Sequence, residues 1–455
     1  MLEMQLHSLL GVNVMAPGAI GNPAVPIELL NAARAEDLEQ MPLRDESATE
    51  EEPGVAATAE GAAPEPVAPP ARSSKSTRRS PVDKRRGGNA GVRLRMSVAE
   101  CERVSQAVEE LYEAKRLSEA EATSRQATLQ RLQRLMEETF PGRSPELHLF
   151  GSSVNGFGVS GCDMDMVLMV DGPQSELVEK VAAALTALQY PELLAIATAR
   201  VPVVKFRDPA TGLGCDICFN NGLALRNSGL LATYSALDPR VRPLAFAVKH
   251  WAKNRRVNTT FEGTLSSYAY VLMVIQFLQC RRAPVLPVLQ DMTAGALRGR
   301  NRRKVMVSGF DTYYYASLDD KRLAEFGAKN SENVGRLLFE FFVFYGFSFR
   351  FKDKVISPRT GSVLSKEDKG WTQPVDKANK SNYWFCLEDP FEVTHNLGRT
   401  VDKGSLFNLR YEFRRAACIL AGAFPWEEAY KDRPRGTLLE MLMTPFSKVE
   451  KSVKL

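Results

Sequence analysis

Asp163 and Asp165, one residue apart, stand in the segment CDMDMVLMV. Its apolar residues Met164, Met166, Leu168 and Val170 alternate, which predicts a largely buried strand. Side chains alternate across a strand, so both carboxylates emerge on one face. Two carboxylates at one spot repel and raise each other's pKa, a conflict that a divalent cation relieves. Hard oxygen ligands suit magnesium, with manganese as the alternative ion. On the strand pattern alone, an edge strand with two solvated aspartates is the competing reading. A third acid, Asp216, sits between Cys215 and Ile217 in a further predicted strand. Upstream, in Phe150-Gly151-Ser152-Ser153, Gly151 allows a backbone to approach a phosphate closely and Ser152 adds a hydroxyl donor. Three aspartates on adjacent strands can hold two metal ions, which clamp the attacking and leaving oxygens of a phosphoryl transfer.

Other residues have plain structural readings beside chemical ones. Lys249 and Lys253 are four apart on a predicted helix and share a face, which by spacing alone is one more solvated basic stripe. Ser267 and Tyr268 open an apolar helix, where an aromatic is ordinarily core. Cys215 and Cys218 form a C-x-x-C, but no second cysteine pair exists and the chain has only 4 histidines, so both are read as core residues. A lone histidine such as His395 is by default a structural residue.

The elements that must position these residues follow a change of period. Ser97 with Glu100 predicts a capped helix through Val104, Val108, Leu111 and Tyr112. A second helix runs through Leu129, Leu132, Leu135 and Met136 and stops at Pro141-Gly142. A small mixed α/β region follows, with strands at 201–206 and 214–219 joined by the turn RDPATG. Beyond Asn221 the pattern is mainly helical. Asp238-Pro239 opens one helix, Thr264 is expected to cap LSSYAYVLMVIQFLQ, and NVGRLLFEFFVFYGFSF is a third. KVISPRTG predicts a short strand and turn, and the end from Thr437 carries weak signals. The domain expectation is an unfolded region over 1–96, leading helices over 97–140 partly packed on the second domain, a first domain over 141–225, a second over 226–445 and a tail over 446–455.

Length and composition bound the rest. The chain has 455 residues, enough for two domains, with 44% hydrophobic and 25% charged residues, the balance of a soluble globular protein. No apolar run reaches the roughly 18–20 residues of a membrane span. The 7 cysteines form no disulfide framework, which points to a reducing compartment. The net charge of +5 hides an acidic stretch over 1–71, at −10, and a basic one over 72–95, at +8. The basic run over 72–86 is either a nuclear-import or nucleic-acid-binding patch or a solvated linker.

Taken together, Gly-Ser, then Asp-hydrophobic-Asp, then a third Asp about fifty residues on, resemble the DNA polymerase β-like nucleotidyltransferases. FGSSVNGFGVSGCDMDMVL looks like the branch of terminal uridylyltransferases and noncanonical poly(A) polymerases. The likeness continues through CDICFNNGLALRNSGLLATY, VKHWAKNRRVN, GTLSSYAYVLMV and LEDPFEVTHNLGRTV, in order, over roughly 147–421. It implies an α+β fold: a nucleotidyltransferase domain with a mixed sheet, a mainly helical poly(A)-polymerase-associated domain, and a cleft between them. By resemblance, Asp163, Asp165 and Asp216 are the catalytic metal ligands, and Gly151 and Ser152 belong to the phosphate-binding turn. Lys249 and Lys253 contact the triphosphate, Ser267 contacts phosphate and Tyr268 stacks on the base. Asn221, Asn227 and Ser228 match positions around sugar and base, with Ser228 where many relatives carry Thr. Asp389 matches the acid beside the base and His395 the base-selecting histidine of uridylyltransferases, which adenylating relatives commonly lack.

The resemblance therefore implies template-independent addition of UMP from UTP to RNA 3′ ends, with magnesium or manganese. A poly(A) polymerase using ATP and an inactive RNA-binding scaffold are the alternatives. Expected partners are the RNA 3′ end and UTP, with no membrane. The chain is expected to be monomeric, with RNA selection from basic surface, the tail or a partner protein. The expected location is the cytoplasm, with the nucleus open through the basic run and mitochondria not ruled out.

Overall fold

The computed structural model describes residues 94–293, 303–378, 380–423 and 436–446. The expected unfolded N-terminal region, up to residue 93, and the expected tail, from residue 447, lie outside the described residues.

The chain opens with helices α1, Val98–Lys115, and α2, Glu119–Thr139. Only half of the expected capping box at α1 forms. The Ser97 hydroxyl accepts the Glu100 N–H at 3.1 Å, but the Glu100 carboxylate turns to Arg103. A full box stands instead at α2, between Ser118 and Glu121. Strands β1, Glu146–Leu149, and β2, Met164–Met169, are followed by helix α3, Gln174–Ala187. Then come β3, Leu194–Ile196, β4, Val203–Arg207, and β5, Gly214–Phe219. The five strands form one sheet in the order β1-β2-β5-β4-β3, in which β2 and β5 run parallel and the other pairs antiparallel.

Period 2 decides the faces of this sheet. Met164, Met166 and Leu168 of β2, with Cys215, Ile217 and Phe219 of β5, join Leu132 and Met136 of α2 and Val178 and Val181 of α3 in one core. Asp165 and Asp216 necessarily point the other way. A slip of one residue in either strand would bury its carboxylate in that core, so register is strongly specified.

The second half is helical: α4, Gly222–Leu237, α5, Val241–Asn254, α6, Ser267–Gln279, and α7, Val334–Val343. A hairpin of β6, Lys354–Ser357, and β7, Ser362–Ser365, precedes α8, Lys403–Leu420, and α9, Leu438–Met443. Its core is aromatic: Trp251 stacks on Phe413 at 5.4 Å and meets Phe342 edge-on at 4.8 Å. Arg255, the C-cap of α5, and Glu412 of α8 form a two-pronged buried ion pair at 2.9 and 3.1 Å. Removing one partner would strand a buried charge, at a cost of about 3–5 kcal/mol. The leading helices divide between the halves. Cys101, Val104 and Val108 of α1 enter the helical core, whereas Leu132 and Met136 of α2 enter the sheet's core.

One local expectation is corrected. Thr264 does not cap α6; its hydroxyl bonds the Thr259 carbonyl at 2.9 Å, and the cap is Ser266, which accepts the Ala269 N–H at 3.2 Å. The segment from Thr437, where the sequence signals are weak, forms a short helix at Leu438–Met443: Thr437 and Glu440 complete a capping box, and Leu439, Leu442 and Met443 are buried.

Candidate active site

Parallel pairing of β2 with β5 sets Asp165 directly beside Asp216. The expectation that Asp163 shares the strand is corrected. The ladder to β5 begins at Met164, so Asp163 lies one residue outside it and is exposed. Its position is still fixed, because Arg125 donates to its carbonyl at 3.3 Å. Burial, reinforced by Asp216 and Asp163, pushes the Asp165 carboxyl up to about 6. Asp216 carries a cationic partner already, the Lys205 ammonium, which reaches it from the neighbouring strand. Both observations fit a site that attracts cations. Two glycines let the carboxylates in: a Cβ on Gly151 would lie 2.7 Å from Asp165 Oδ2, and one on Gly214 would lie 2.4 Å from Asp163 Oδ1. Among the described residues, no three His, Cys, Asp or Glu side chains yet converge as a ligand set.

A cavity of 630 Å³ runs from these aspartates into the helical half. Gly151, Ser152, Asp163, Asp165, Asn227, Ser228, Lys249, Lys253, Ser267 and Tyr268 all line it. Gly151 has φ of +63°, open to glycine at little cost, and its N–H donates to Ser228 Oγ at 2.8 Å. The Ser228 hydroxyl donates in turn to the Ala224 carbonyl at 2.7 Å, so it ties the glycine turn to α4. Lys249 is similarly engaged, donating to the Phe157 carbonyl at 2.7 Å, and burial lowers its pKa. Lys253, one turn on, is exposed. Asn227, which lines the cavity, has a buried Oδ1 without a hydrogen-bond partner, an acceptor that the fold leaves over.

Asp216, Asn221, Asp389 and His395 do not line this cavity. Asn221 caps α4 by accepting the Ala224 N–H at 3.2 Å. Asp389 joins through Tyr268, whose hydroxyl donates to Asp389 Oδ2 at 3.0 Å. The Asp389 carboxylate also accepts the N–H groups of Phe391 and Glu392, each at 2.9 Å, yet burial still raises its pKa. The Asp389 N–H donates to the His395 carbonyl at 3.2 Å, so one turn carries both residues. Burial first, then the Arg200 guanidinium, pulls the His395 imidazole down to about 4, and it is neutral at neutral pH.

Three residues absent from the sequence reading matter here. Lys205 was legible in principle, because Val204 and Phe206 alternate with it and the RDPATG turn places it opposite Asp216. Arg125, only 1% exposed, holds the turn before the aspartates through Ser153 and the carbonyls of Cys162 and Asp163. Arg200 reaches Glu392 and His395. No local pattern marks either arginine.

A mixed sheet with paired aspartates, facing a cavity that a helical half completes, defines a nucleotidyltransferase of the polymerase β-like fold. Residues 104–236 match the family model of the poly(A) RNA polymerase, mitochondrial-like, central palm domain, and residues 333–395 match that of Cid1 family poly A polymerase. Terminal uridylyltransferase cid1 of Schizosaccharomyces pombe is 34% identical over 349 residues, which cover 71% of this chain and 81% of that one. Poly(A) RNA polymerase cid13 of the same yeast is 36% identical, over 70% of this chain and 53% of its own length. Human Terminal uridylyltransferase 7 is 38% identical, over 61% and 18%. The chain thus spans most of the first of these, about half of the second and under a fifth of the third. A solved cytoplasmic RNA terminal U-transferase superposes with a TM-score of 0.64 at 31% identity, covering 76% of this chain and 99% of that one. The chain belongs to the family of terminal uridylyltransferases and noncanonical poly(A) RNA polymerases. Among the described residues, no helix is long and apolar enough to cross a membrane, and all seven cysteines are free.

Proposed function

We propose that this chain is an RNA 3′-terminal uridylyltransferase that adds UMP from UTP without a template. The observation that carries the choice of base is His395, in FEVTHNLGRT beside the buried Asp389. A neutral imidazole has one N–H to give, and uracil O4 is an acceptor where adenine carries an amino donor on a larger ring. Tyr268, with its hydroxyl held by Asp389, is the stacking platform for the base. Asn227 Oδ1 takes a sugar hydroxyl, and Lys253 orients the phosphates.

Asp163, Asp165 and Asp216 would hold magnesium or manganese, Asp216 by exchanging its Lys205 partner. A bound divalent ion there supplies positive charge to the triphosphate and lowers the pKa of the RNA 3′-hydroxyl. Asp216 stands ready to take the hydroxyl proton. Solved Cid1 structures concerned with UTP selectivity include a Mg 3′-dATP complex and a histidine-to-asparagine variant bound to MgATP. Those structures support a histidine as the selector. Its substrate is the RNA 3′ end, a reading supported by the solved Cid1 complex with its short product ApU.

Relatives such as cid13 carry the name poly(A) RNA polymerase, so ATP is the second reading. Extension of a short RNA primer with each of the four nucleotides separately tests the choice. UTP is expected to dominate. Dominance of ATP selects the second reading, and no incorporation with any nucleotide, with either metal, selects an inactive scaffold.

A further inference from the structure

Arg200 lies between β3 and β4, in the sheet half, and is not among the residues that the uridylyl reading uses. Its guanidinium crosses to the helical half, where Nη2 donates to Glu392 Oε1 at 2.5 Å, 192 positions away in sequence. Its Nη1 lies 3.2 Å from His395 Nδ1 and 3.2 Å from Nε2. The in-plane bonding directions of these two ring nitrogens diverge. An atom 3.2 Å from both lies on neither bonding line, and in the ring plane it would collide with the Cε1–H between them, so it sits over the ring face. Planar guanidinium favours such stacking. The imidazole is thus held by its face and keeps its nitrogen edge for a ligand.

We propose that Arg200 is a specificity-determining positioning residue, a latch that closes the base end of the cleft by pairing with Glu392 and clamping the His395 ring. The proposal rests on the base-selecting role of His395. The latch is built to open. Arg200 and Glu392 side chains are 49% and 25% exposed, and an ion pair of that kind is weak enough to break at each nucleotide exchange. Burial does most to keep the ring neutral, and Arg200 adds to it. The groups around His395 are Arg200 and Arg399, which oppose its protonation, and Glu392, which favours it. Loss of Arg200 removes one opposing charge and frees Glu392, so both changes raise the imidazole pKa.

The test uses the full chain with Arg200→Ala, Arg200→Lys, His395→Ala and the double variant Arg200→Ala/His395→Ala. kcat/KM for UTP and for ATP is measured on one RNA primer, and the His395 ring is followed by NMR titration. In Arg200→Ala the UTP:ATP ratio is expected to fall about tenfold, the combined scale of a surface pair and a stacked cation, through a higher KM for UTP. The His395 midpoint is expected to rise above about 4 and to stop short of the ordinary imidazole value, because burial remains. Arg200→Lys should recover part of the ratio, because it keeps the charge for Glu392 and loses the planar stack. Once His395 is alanine, Arg200→Ala should move the ratio much less, because only the Glu392 pair is left to lose. An unchanged ratio and an unchanged midpoint in folded Arg200→Ala overturn the latch, as does full additivity in the double variant. A wild type that favours ATP contradicts the uridylyl reading alone. The latch is then still supported if Arg200→Ala moves the ratio, in either direction, and overturned if it does not.

Discussion

At the sheet end of the cleft, Asp165 keeps a carboxyl raised to about 6, and Asp216 borrows an ammonium from Lys205. At the base end, Tyr268 already donates to Asp389, Arg200 to Glu392, and His395 is neutral. One end holds negative charge that the fold only partly offsets. The other has settled its charges and offers hydrogen-bonding edges. On the uridylyl reading, a change at the first end should act on rate, and a change at the second on ratio.

The most severe way to probe the sheet end is to delete its carboxylates. Asp163→Ala, Asp165→Ala and Asp216→Ala are each expected to lower nucleotide addition at least about a thousandfold, the scale of several kcal/mol of metal-borne stabilisation. Little folding stability should be lost in any of them, so incorporation and thermal unfolding are measured together. Retained activity in any one variant removes that residue from the metal site.

Deleting the support beneath them should act on folding as well. Arg125→Ala leaves the carbonyls of Cys162 and Asp163 without their donor and opens a cavity under α2. A loss of about 2–4 kcal/mol is expected in denaturant unfolding, with reduced nucleotide addition. An unchanged midpoint would mean that the turn is held by its glycines alone.

A gentler change sharpens the claim of partly offset charge. A carboxyl raised from its ordinary 3.8 to about 6 is protonated more readily in the folded than in the unfolded chain. Stability should therefore fall as pH rises from about 4 to about 6. Asp165→Asn should remove that slope and, without divalent ions, stabilise the chain above pH 7 by about 1–3 kcal/mol. Added magnesium should raise the melting temperature of wild type and leave the variant nearly unmoved. A variant that melts below wild type without metal contradicts the charge argument. The smallest effect is expected from removing residues 1–90, whose Ala-, Pro- and charge-rich composition carries none of the site residues. Primer extension on short RNA should stay within about twofold of the full chain.

The same contrast governs what the sequence made legible. The sheet end follows from a period of two: alternating methionines and aspartates in CDMDMVLMV, and the apolar frame around Asp216, already fix which face each side chain takes. Where the ladder stops does not follow from that pattern, so Asp163 falls outside the strand. The base end depends on contacts between residues far apart in the chain. Tyr268 with Asp389 and Arg200 with Glu392 are pairings of tertiary structure, and only the family resemblance pointed to Asp389 and His395. The α9 helix was missed for a related reason. Six residues are too few to display a helical period, although its capping box at Thr437 and Glu440 was there to be seen.

The central claim is that His395 makes this enzyme choose UTP. Its direct test is kcat/KM for UTP and for ATP in wild type and in His395→Ala, with one RNA primer and one metal. Wild type should favour UTP, and the variant, having lost the bond to O4 and opened room for a purine, should shift the ratio towards ATP by about one to two orders of magnitude. A wild type that already favours ATP, or a ratio that does not move in the variant, contradicts the claim and leaves the poly(A) polymerase reading in its place.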